Sequence, residues 1–570
     1  MFLQGIANFI DDLMGGFQLV GLAMLVGGIV WALSVLRVAT AAGGAPTGTL
    51  TLAARVLRWG ALLLAGAQAL KIVTKGLVLA ATLGTLPLAD YASTVQFEAG
   101  SLRLLLALAA AAVAGWIAAT PQSLPRWRIG SAIAAAVVIS GGWLVHAVGR
   151  FEERALLMQL TVVHQLAAAV WVGGVVQLLA LWRAGRRDAA LREFWPEAVA
   201  RFSPVGMVCV VLLVVTGVVL ANDYVGSWLG LFGTGYGSLV AAKVVLLAVT
   251  LAFAALNFSA GRAWRRYRDN SDNSDNSGNS RKSQQPGGSA LPAVVARVPF
   301  YIEAETFLLV AVLFVAASLS SLPPAIDIPQ ASAQFHEVLG MFAPKLPSLV
   351  TPSHANLLAG EAERLAIVGR VASEAATDWS DYNHNIAGLF LVGMGAFALL
   401  SYLSRMAWAR YWPLGFVMLG VFLFFRSDAE TWPLGPIGFW ASTFGNGEVL
   451  QHRLATLLCF GLGVVELRVR TAGRRESSDP RYAFAVLCAL GGLLLITHAH
   501  TPFELKTDYL IQSTHLVMGL LATLMAVGRW LELRLAEGHS PGWSRAAGLL
   551  SVSAMLCIGI VLVFYKEPLV

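Results

Sequence analysis

Residues 203–222 read SPVGMVCVVLLVVTGVVLAN, a run that contains no charged side chain. A helix of about 20 apolar residues spans the hydrocarbon core of a bilayer and satisfies its own backbone hydrogen bonds there. The whole chain has the same character: of 570 residues, 57% are hydrophobic and 13% are charged, and the mean hydropathy is +0.68. Soluble domains carry about 25% charged residues. The sequence therefore predicts an all-α, polytopic integral membrane protein.

Comparable apolar segments recur on both sides of this run, and about fourteen of them are long enough to be transmembrane helices. A less apolar region at 326–381 divides them into an eight-helix domain at 1–325 and a six-helix domain at 382–570. Within the first domain, the polar, low-complexity stretch at 268–292 is predicted to be a disordered linker. The predicted helices lie roughly at 17–38, 57–82, 101–119, 129–149, 155–182, 203–222, 238–261, 299–320, 383–404, 411–426, 450–467, 482–500, 509–531 and 545–565.

Arginines occupy alternate loops and indicate the orientation of the chain. Cationic residues are retained on the cytoplasmic side of a membrane, and the loop at 223–237 contains no Lys or Arg. We therefore expect both termini on the non-cytoplasmic side. The arginines that define the cytoplasmic loops are Arg183, Arg186, Arg187, Arg192, Arg262, Arg265, Arg266, Arg268, Arg468, Arg470, Arg474 and Arg475.

Several classes of function are disfavoured. The net charge of +7 comes from short loops between apolar segments, so it does not imply a nucleic-acid partner. The sequence has no GxxxxGK[ST] motif and no dinucleotide-binding fingerprint, and its four cysteines lie in apolar segments without CxxC spacing. We expect a transport or metal-binding protein embedded in lipid rather than an enzyme.

The histidines carry the functional signal in the second domain. Because alternate helices run in opposite directions, the histidines of this domain converge on one membrane face. Imidazole binds copper, zinc, iron and nickel, and nearby carboxylates can orient such ligands. The candidate metal ligands are His384, His452, His498, His500 and His515, and the candidate orienting carboxylates are Asp381, Asp428, Glu430, Glu504 and Asp508.

Two further histidines, His146 and His164, belong to neighbouring predicted helices of the first domain and form a second candidate metal site. With the loop residues His336 and His354, nine of the ten histidines lie on the predicted outer face, and His539 lies inside. Paired histidines on neighbouring helices also ligate haem b. A haem b-binding electron-transfer subunit therefore remains an alternative, as does a structural subunit of a larger membrane complex.

The fifth to eighth predicted helices carry a set of short motifs in a fixed order. They are HQLAAAVWVGG at 164–174, Arg201-Phe-Ser203-Pro, Thr216-Gly217, Gly235-Tyr236-Gly237, Lys243, Asn257, Glu305 and SLPP at 321–324. In this order and spacing, residues 160–325 resemble the copper resistance protein D family (CopD), and the preceding helices suit its full-length members. The six-helix domain has no convincing counterpart in that resemblance.

The resemblance implies a protein of the bacterial inner membrane that is linked to copper uptake or resistance. The family histidine corresponds to His164, and His146 corresponds less closely. The expected cargo is copper, as Cu⁺ or Cu²⁺, bound at the periplasmic face and then moved inward or delivered. A periplasmic copper chaperone or a membrane cuproenzyme is the expected partner.

Overall fold

The computed structural model describes residues 2–38, 44–46, 48–85, 87–276, 293–359, 373–403, 406–471, 480–496, 506–538 and 540–568. In these ranges the chain is helical, and its only paired extended residues form one isolated bridge between Thr431 and Ile437. The long helices, numbered here in chain order, are α1 Phe2–Trp31, α2 Thr49–Leu83, α3 Val95–Ala119, α4 Leu124–Gly141, α5 Arg154–Gly185, α6 Ala189–Val225, α7 Gly235–Asn276, α8 Ala293–Leu319, α9 Glu374–Leu400, α10 Leu414–Arg426, α11 Gly447–Thr471, α12 Ala483–Ile496, α13 Lys506–Glu537 and α14 Pro541–Val563.

Each predicted transmembrane segment corresponds to one of these helices. Twelve helices in the described residues are long and apolar enough to cross a membrane, and a shorter apolar one covers Pro480–Ile496. Helix α11 does not meet the same criterion; its sequence includes Glu448, His452, Arg453 and Glu466. The predicted fold class, an all-helical polytopic membrane protein, is confirmed.

The first bundle is built around α1, which packs against α2, α5 and α8. At the crossing of α1 and α5 the backbones approach closely: a side chain at Gly173 would overlap the carbonyl oxygen of Ala23 and the backbone of Gly27. Small residues permit such an approach in membranes. The absence of a side chain at Gly173 therefore permits the crossing of α1 and α5.

The second bundle pairs α9 with α14, α10 with α11, and α12 with α13, while α14 also packs along α13. Its core contains aromatic residues and the methionines Met394, Met518, Met525 and Met555. The two bundles are in contact, because α13 packs against α7 and α8 of the first bundle through a shared apolar cluster. The sequence boundary near 326–381 thus separates segments that pack together.

Three helix boundaries differ from the sequence predictions. Helix α9 begins at Glu374, where the Ser373 side chain accepts a hydrogen bond from the Ala376 backbone as an N-cap, so His384 lies well inside the helix. Helix α4 ends at Gly141 and gives way to 3₁₀ turns that carry His146. Helix α7 continues to Asn276, into the stretch that was predicted to be a disordered linker; residues 277–292 of that stretch lie outside the described ranges.

Candidate metal centre

The candidate histidines occupy the end of the molecule opposite the arginine-rich loops, and we call these the histidine end and the arginine end. His384 lies on α9, His452 on α11 and His515 on α13, so three helices of the second bundle each bring one imidazole to the histidine end. His498 and His500, together with His539, lie outside the described residues.

The imidazoles of His384 and His515 lie side by side. Their ring centroids are 5.9 Å apart, and the two ring planes are nearly perpendicular, at 84°. The phenol ring of Tyr565 lies against His384 with a centroid separation of 4.2 Å and is 6.4 Å from His515. Metal–imidazole bonds are about 2 Å long, so two rings at this separation are close enough to share one ion.

The backbone fixes the tautomer of both histidines. The Nδ1 atom of His384 is 2.8 Å from the Ser380 carbonyl oxygen, and that of His515 is 3.0 Å from the Ile511 carbonyl oxygen. A carbonyl oxygen only accepts hydrogen bonds, so each Nδ1 carries the proton and donates it. A neutral ring with its proton on Nδ1 binds a metal ion through Nε2, which is the arrangement found for most histidine ligands.

Tyr565 is a candidate ligand that the sequence reasoning missed. Its side chain is fully buried, and its hydroxyl has no hydrogen-bond partner. The residue follows the last helix and is held by its backbone, because the Asn385 amide donates to the carbonyl oxygens of Tyr565 and Leu562 at 2.9 and 3.0 Å. A tyrosine ring beside two imidazoles, with a buried hydroxyl that no described residue satisfies, fits a site that a ligand completes.

Polar contacts hold Lys566 and Glu567, which follow Tyr565, against α9. Lys566 forms a salt bridge with Asp381 at 3.2 Å, and the backbone N–H of Glu567 donates to the same carboxylate at 2.8 Å. The Ser380 hydroxyl donates to Glu567. Asp381 therefore positions the C-terminal tail, and we see no hydrogen bond from it to a histidine in the described residues.

His452 forms the one histidine–carboxylate pair among the described candidates. Its Nδ1 atom is 2.8 Å from the Asp428 carboxylate. Burial favours the neutral form of Asp428, but the neighbouring His452 outweighs it and lowers the pKa of the carboxyl on balance. An electrostatic interaction also connects His452 with His384. Asp428 thus has the position of an orienting carboxylate, as predicted; Glu504 lies outside the described residues.

The two remaining histidines of the histidine end have separate surroundings. His354 donates from Nε2 to the Ala429 carbonyl oxygen at 2.7 Å and packs near Trp379. His336 lies on the short helix Phe335–Phe342, which packs against α13.

In the first bundle, His146 sits in an aromatic enclosure. Its ring is 6.4 Å from Tyr224 and 6.3 Å from Tyr236, and its Nε2 atom is 3.3 Å from the Leu319 carbonyl oxygen. Burial lowers the pKa of His146, against the opposing effect of that backbone hydrogen bond. The imidazole is therefore neutral near pH 7. Its proton is on Nε2, and Nδ1 carries the lone pair.

His164 has a different partner, Thr216 on α6, whose Oγ1 atom is 2.8 Å from the His164 Nδ1 atom. The Thr216 hydroxyl donates to the Leu212 carbonyl oxygen at 2.6 Å, so Nδ1 of His164 is the donor of the pair. Lys243 interacts electrostatically with His164. The structure thus gives His146 and His164 separate sets of neighbours and joins them by no contact within the described residues.

No group of three or more His, Cys, Asp or Glu side chains converges on one point in the described part of the chain. The closest approach to a metal site there is the His384–His515 pair with Tyr565, which combines two nitrogen donors and one oxygen donor. His498 and His500, which precede α13 in the sequence, cannot be placed relative to that pair.

Comparison with known proteins links the first bundle to one family. Copper transport protein CutJ of Bacillus subtilis (strain 168) is 30% identical over 115 residues, which are 20% of this chain and 21% of that protein. The match therefore covers about a fifth of the length of the relative. No solved structure matches the chain. The sequence profile of the family "Copper resistance protein D" matches residues 196–319, and this chain is therefore a polytopic membrane protein that contains a CopD family domain.

Proposed function

We propose that the protein binds copper at the histidine end of its second bundle, on the periplasmic face of the membrane. The observation that carries this proposal is the pairing of His384 with His515, whose ring centroids are 5.9 Å apart and whose Nδ1 atoms both face backbone carbonyl oxygens. The CopD domain at 196–319 and the similarity to a copper transport protein support copper as the ion.

The donor set agrees with this choice of ion. Imidazole nitrogen suits copper, zinc, iron and nickel, and a mixed nitrogen and oxygen set suits Cu²⁺. The Tyr565 hydroxyl would supply the oxygen donor. The His452–Asp428 pair would lie next to this site. His498, His500, His146 and His164 remain proposed ligands, the last two at a separate site in the first bundle.

The alternation of arginine-rich loops supports the orientation, with the histidine end and both termini in the periplasm. Copper bound there would be moved inward or delivered to a membrane cuproenzyme, with a periplasmic copper chaperone as the proposed donor. Uptake requires a polar route across the first bundle, since an ion does not cross hydrocarbon unaided.

The test is metal analysis of the full chain purified in detergent without chelators and loaded with a copper(II) salt. We expect bound copper with a nitrogen-ligated electron paramagnetic resonance signal in the parent protein. The His384→Ala/His515→Ala variant should lose both. His336→Ala, a histidine of the same face outside the pair, is the matched control and should retain both.

An equal copper content in the parent protein and the double variant would contradict the proposed site. An optical spectrum of the same samples addresses the haem alternative, because bis-histidine haem b gives a Soret band. A Soret band that disappears in the double variant would assign the pair to haem instead of copper.

A further inference from the structure

Glu305 is a carboxyl group buried inside the CopD domain. It lies on α8 with 2% of its surface exposed, eight residues beyond Arg297 and so about 12 Å along the helix from the arginine end. Ionisable side chains at such depth are costly and are functional candidates by default.

The groups that contact this carboxyl are neutral. The Asn257 amide on α7 donates to Glu305 at 2.6 Å, and the Trp171 side chain on α5 donates a second hydrogen bond. Asn257 is itself buried, and its Oδ1 atom has no hydrogen-bond partner among the described residues. Three helices therefore bring polar groups to one point inside the bundle, and one acceptor there is unsatisfied.

Several other buried carboxylates in the described residues have cationic partners. Asp11 pairs with Lys71 and Lys75, Glu466 with Arg529 and Arg470, and Asp381 with Lys566. Glu303, two residues before Glu305 on α8, pairs with Arg534. Glu305 has no such ion pair in the described structure.

The remaining charged groups on the helices around α8 lie elsewhere. On α1, Asp12 accepts a hydrogen bond from Ser321 at the histidine end. On α7, Lys243 is fourteen residues from Asn257, about 21 Å along the helix. The nearer cations of α7 have other contacts: Arg262 is exposed and lies over the Phe258 ring, and Arg265 donates to the Ala200 carbonyl oxygen. On α5, His164 lies seven residues from Trp171, about 10 Å towards the histidine end. An ionised Glu305 would thus be an uncompensated charge in a low-dielectric interior, which is strongly unfavourable.

We propose that Glu305 is a proton-binding site of the CopD domain, with Asn257 and Trp171 as the residues that position its carboxyl group. A proton from water binds one carboxylate oxygen, an O–H bond forms, and the same bond breaks when the proton is released; no electron is transferred. The unsatisfied Asn257 oxygen can accept a hydrogen bond from the protonated carboxyl or from a water molecule that carries the proton. Coupling of this proton exchange to copper movement rests on the proposed function.

The proton site is tested by infrared spectroscopy of the full chain in lipid nanodiscs at neutral pH, in H₂O and in D₂O. The carbonyl stretch of a protonated carboxylic acid is distinct from carboxylate bands and shifts in D₂O. We expect one such band in the parent protein that is absent from Glu305→Gln, a variant of nearly the same shape. Glu197→Gln, which removes an ion-paired carboxylate of the same domain, should retain the band. Identical carbonyl regions in the parent protein and Glu305→Gln would overturn the proposal.

A second measurement separates this proposal from the copper proposal. The full chain is reconstituted in vesicles that contain a pH-sensitive dye, and a copper salt is added outside. Coupling predicts a change of internal pH in the parent protein and its loss in Glu305→Gln. Copper entry without any pH change would overturn the coupling. If copper does not enter, the proposed uptake fails, while the infrared result still decides whether Glu305 binds a proton.

Discussion

The hydroxyl of Tyr565 is buried and has no hydrogen-bond partner among the described residues, and the Tyr565 ring packs against His384. We interpret this unsatisfied hydroxyl as part of the proposed metal site. A buried donor without a partner costs about 1–3 kcal/mol. Tyr509, in the same apolar cluster, has its hydroxyl satisfied, because the hydroxyl donates a hydrogen bond to the Phe232 carbonyl oxygen at 2.5 Å. This contrast supports the proposal that the Tyr565 hydroxyl is a metal ligand.

Replacing Tyr565 by Phe should therefore weaken copper binding and leave the stability of the protein unchanged or slightly higher. We expect an affinity loss of about tenfold, or about 1.4 kcal/mol, in a competition titration with a copper chelator. Tyr509→Phe is the matched control: it should cost about 0.5–1.5 kcal/mol of stability and leave copper affinity unchanged. A stability loss in Tyr565→Phe without any change in copper affinity would contradict the assignment.

At this scale the sequence predicted that His384 and His515 lie on one face of the second domain, but it did not predict the residues around them. Helix alternation is sufficient to place His384 and His515 on one face, because the direction of each helix follows from counting crossings. Tyr565 lies beyond the last helix, and tertiary contacts bring it to His384. One of them is the hydrogen bond from the Asn385 side-chain amide to the Tyr565 carbonyl oxygen. Glu305 was part of a family motif, but its lack of a cationic partner depends on which helices surround it.

The positions of the long helices were predictable from hydropathy, whereas their exact ends were not. Lipid requires each crossing to be a helix, so the apolar runs identified the long helices. Their ends are set by local chemistry: the Ser373 cap starts α9 ahead of its apolar run, and α4 stops at Gly141. Close packing was also predictable at one crossing, because paired glycines at 173–174 allow two backbones to touch.

That crossing of α1 and α5 gives a test at the scale of elements. In Gly173→Ala the new methyl group would overlap the carbonyl oxygen of Ala23, and the helices must separate. We expect a stability loss of about 1–3 kcal/mol, as for other overpacked sites, in a denaturation titration in detergent micelles. Gly66→Ala on α2 is the control, because a methyl group there meets no atom within 4 Å. Equal stabilities of the two variants would show that the α1–α5 contact is looser than described.

At the scale of the whole molecule, polar contacts join the two bundles at both ends. At the histidine end, the Tyr509 hydroxyl on α13 donates a hydrogen bond to the carbonyl oxygen of Phe232, which lies between α6 and α7 of the first bundle. Towards the arginine end, Glu303 on α8 and Arg534 on α13 form a bidentate pair at 2.7 and 3.1 Å, to which Trp530 adds a hydrogen bond at 2.9 Å. The sequence could not predict this pairing, because it joins residues on opposite sides of the apparent domain boundary.

The Glu303–Arg534 pair should couple the stabilities of the two bundles. Both side chains are buried, with 6% and 8% of their surfaces exposed. Arg534→Met leaves the Glu303 carboxylate without its cation, which is costly in the interior, whereas Glu303→Gln leaves Arg534 paired with the more exposed Glu537. Glu303→Gln and Arg534→Met should each destabilise the full chain. The double variant should lose less than the sum of the two, with a coupling energy of about 0.5–3 kcal/mol, because neither charge is then left alone. Lys506→Met supplies the control: in its pair with Glu337 the two side chains are 40% and 28% exposed, and surface pairs contribute about 0–1 kcal/mol. Additive losses for Glu303 and Arg534 would mean that this pair does not couple the stabilities of the two bundles.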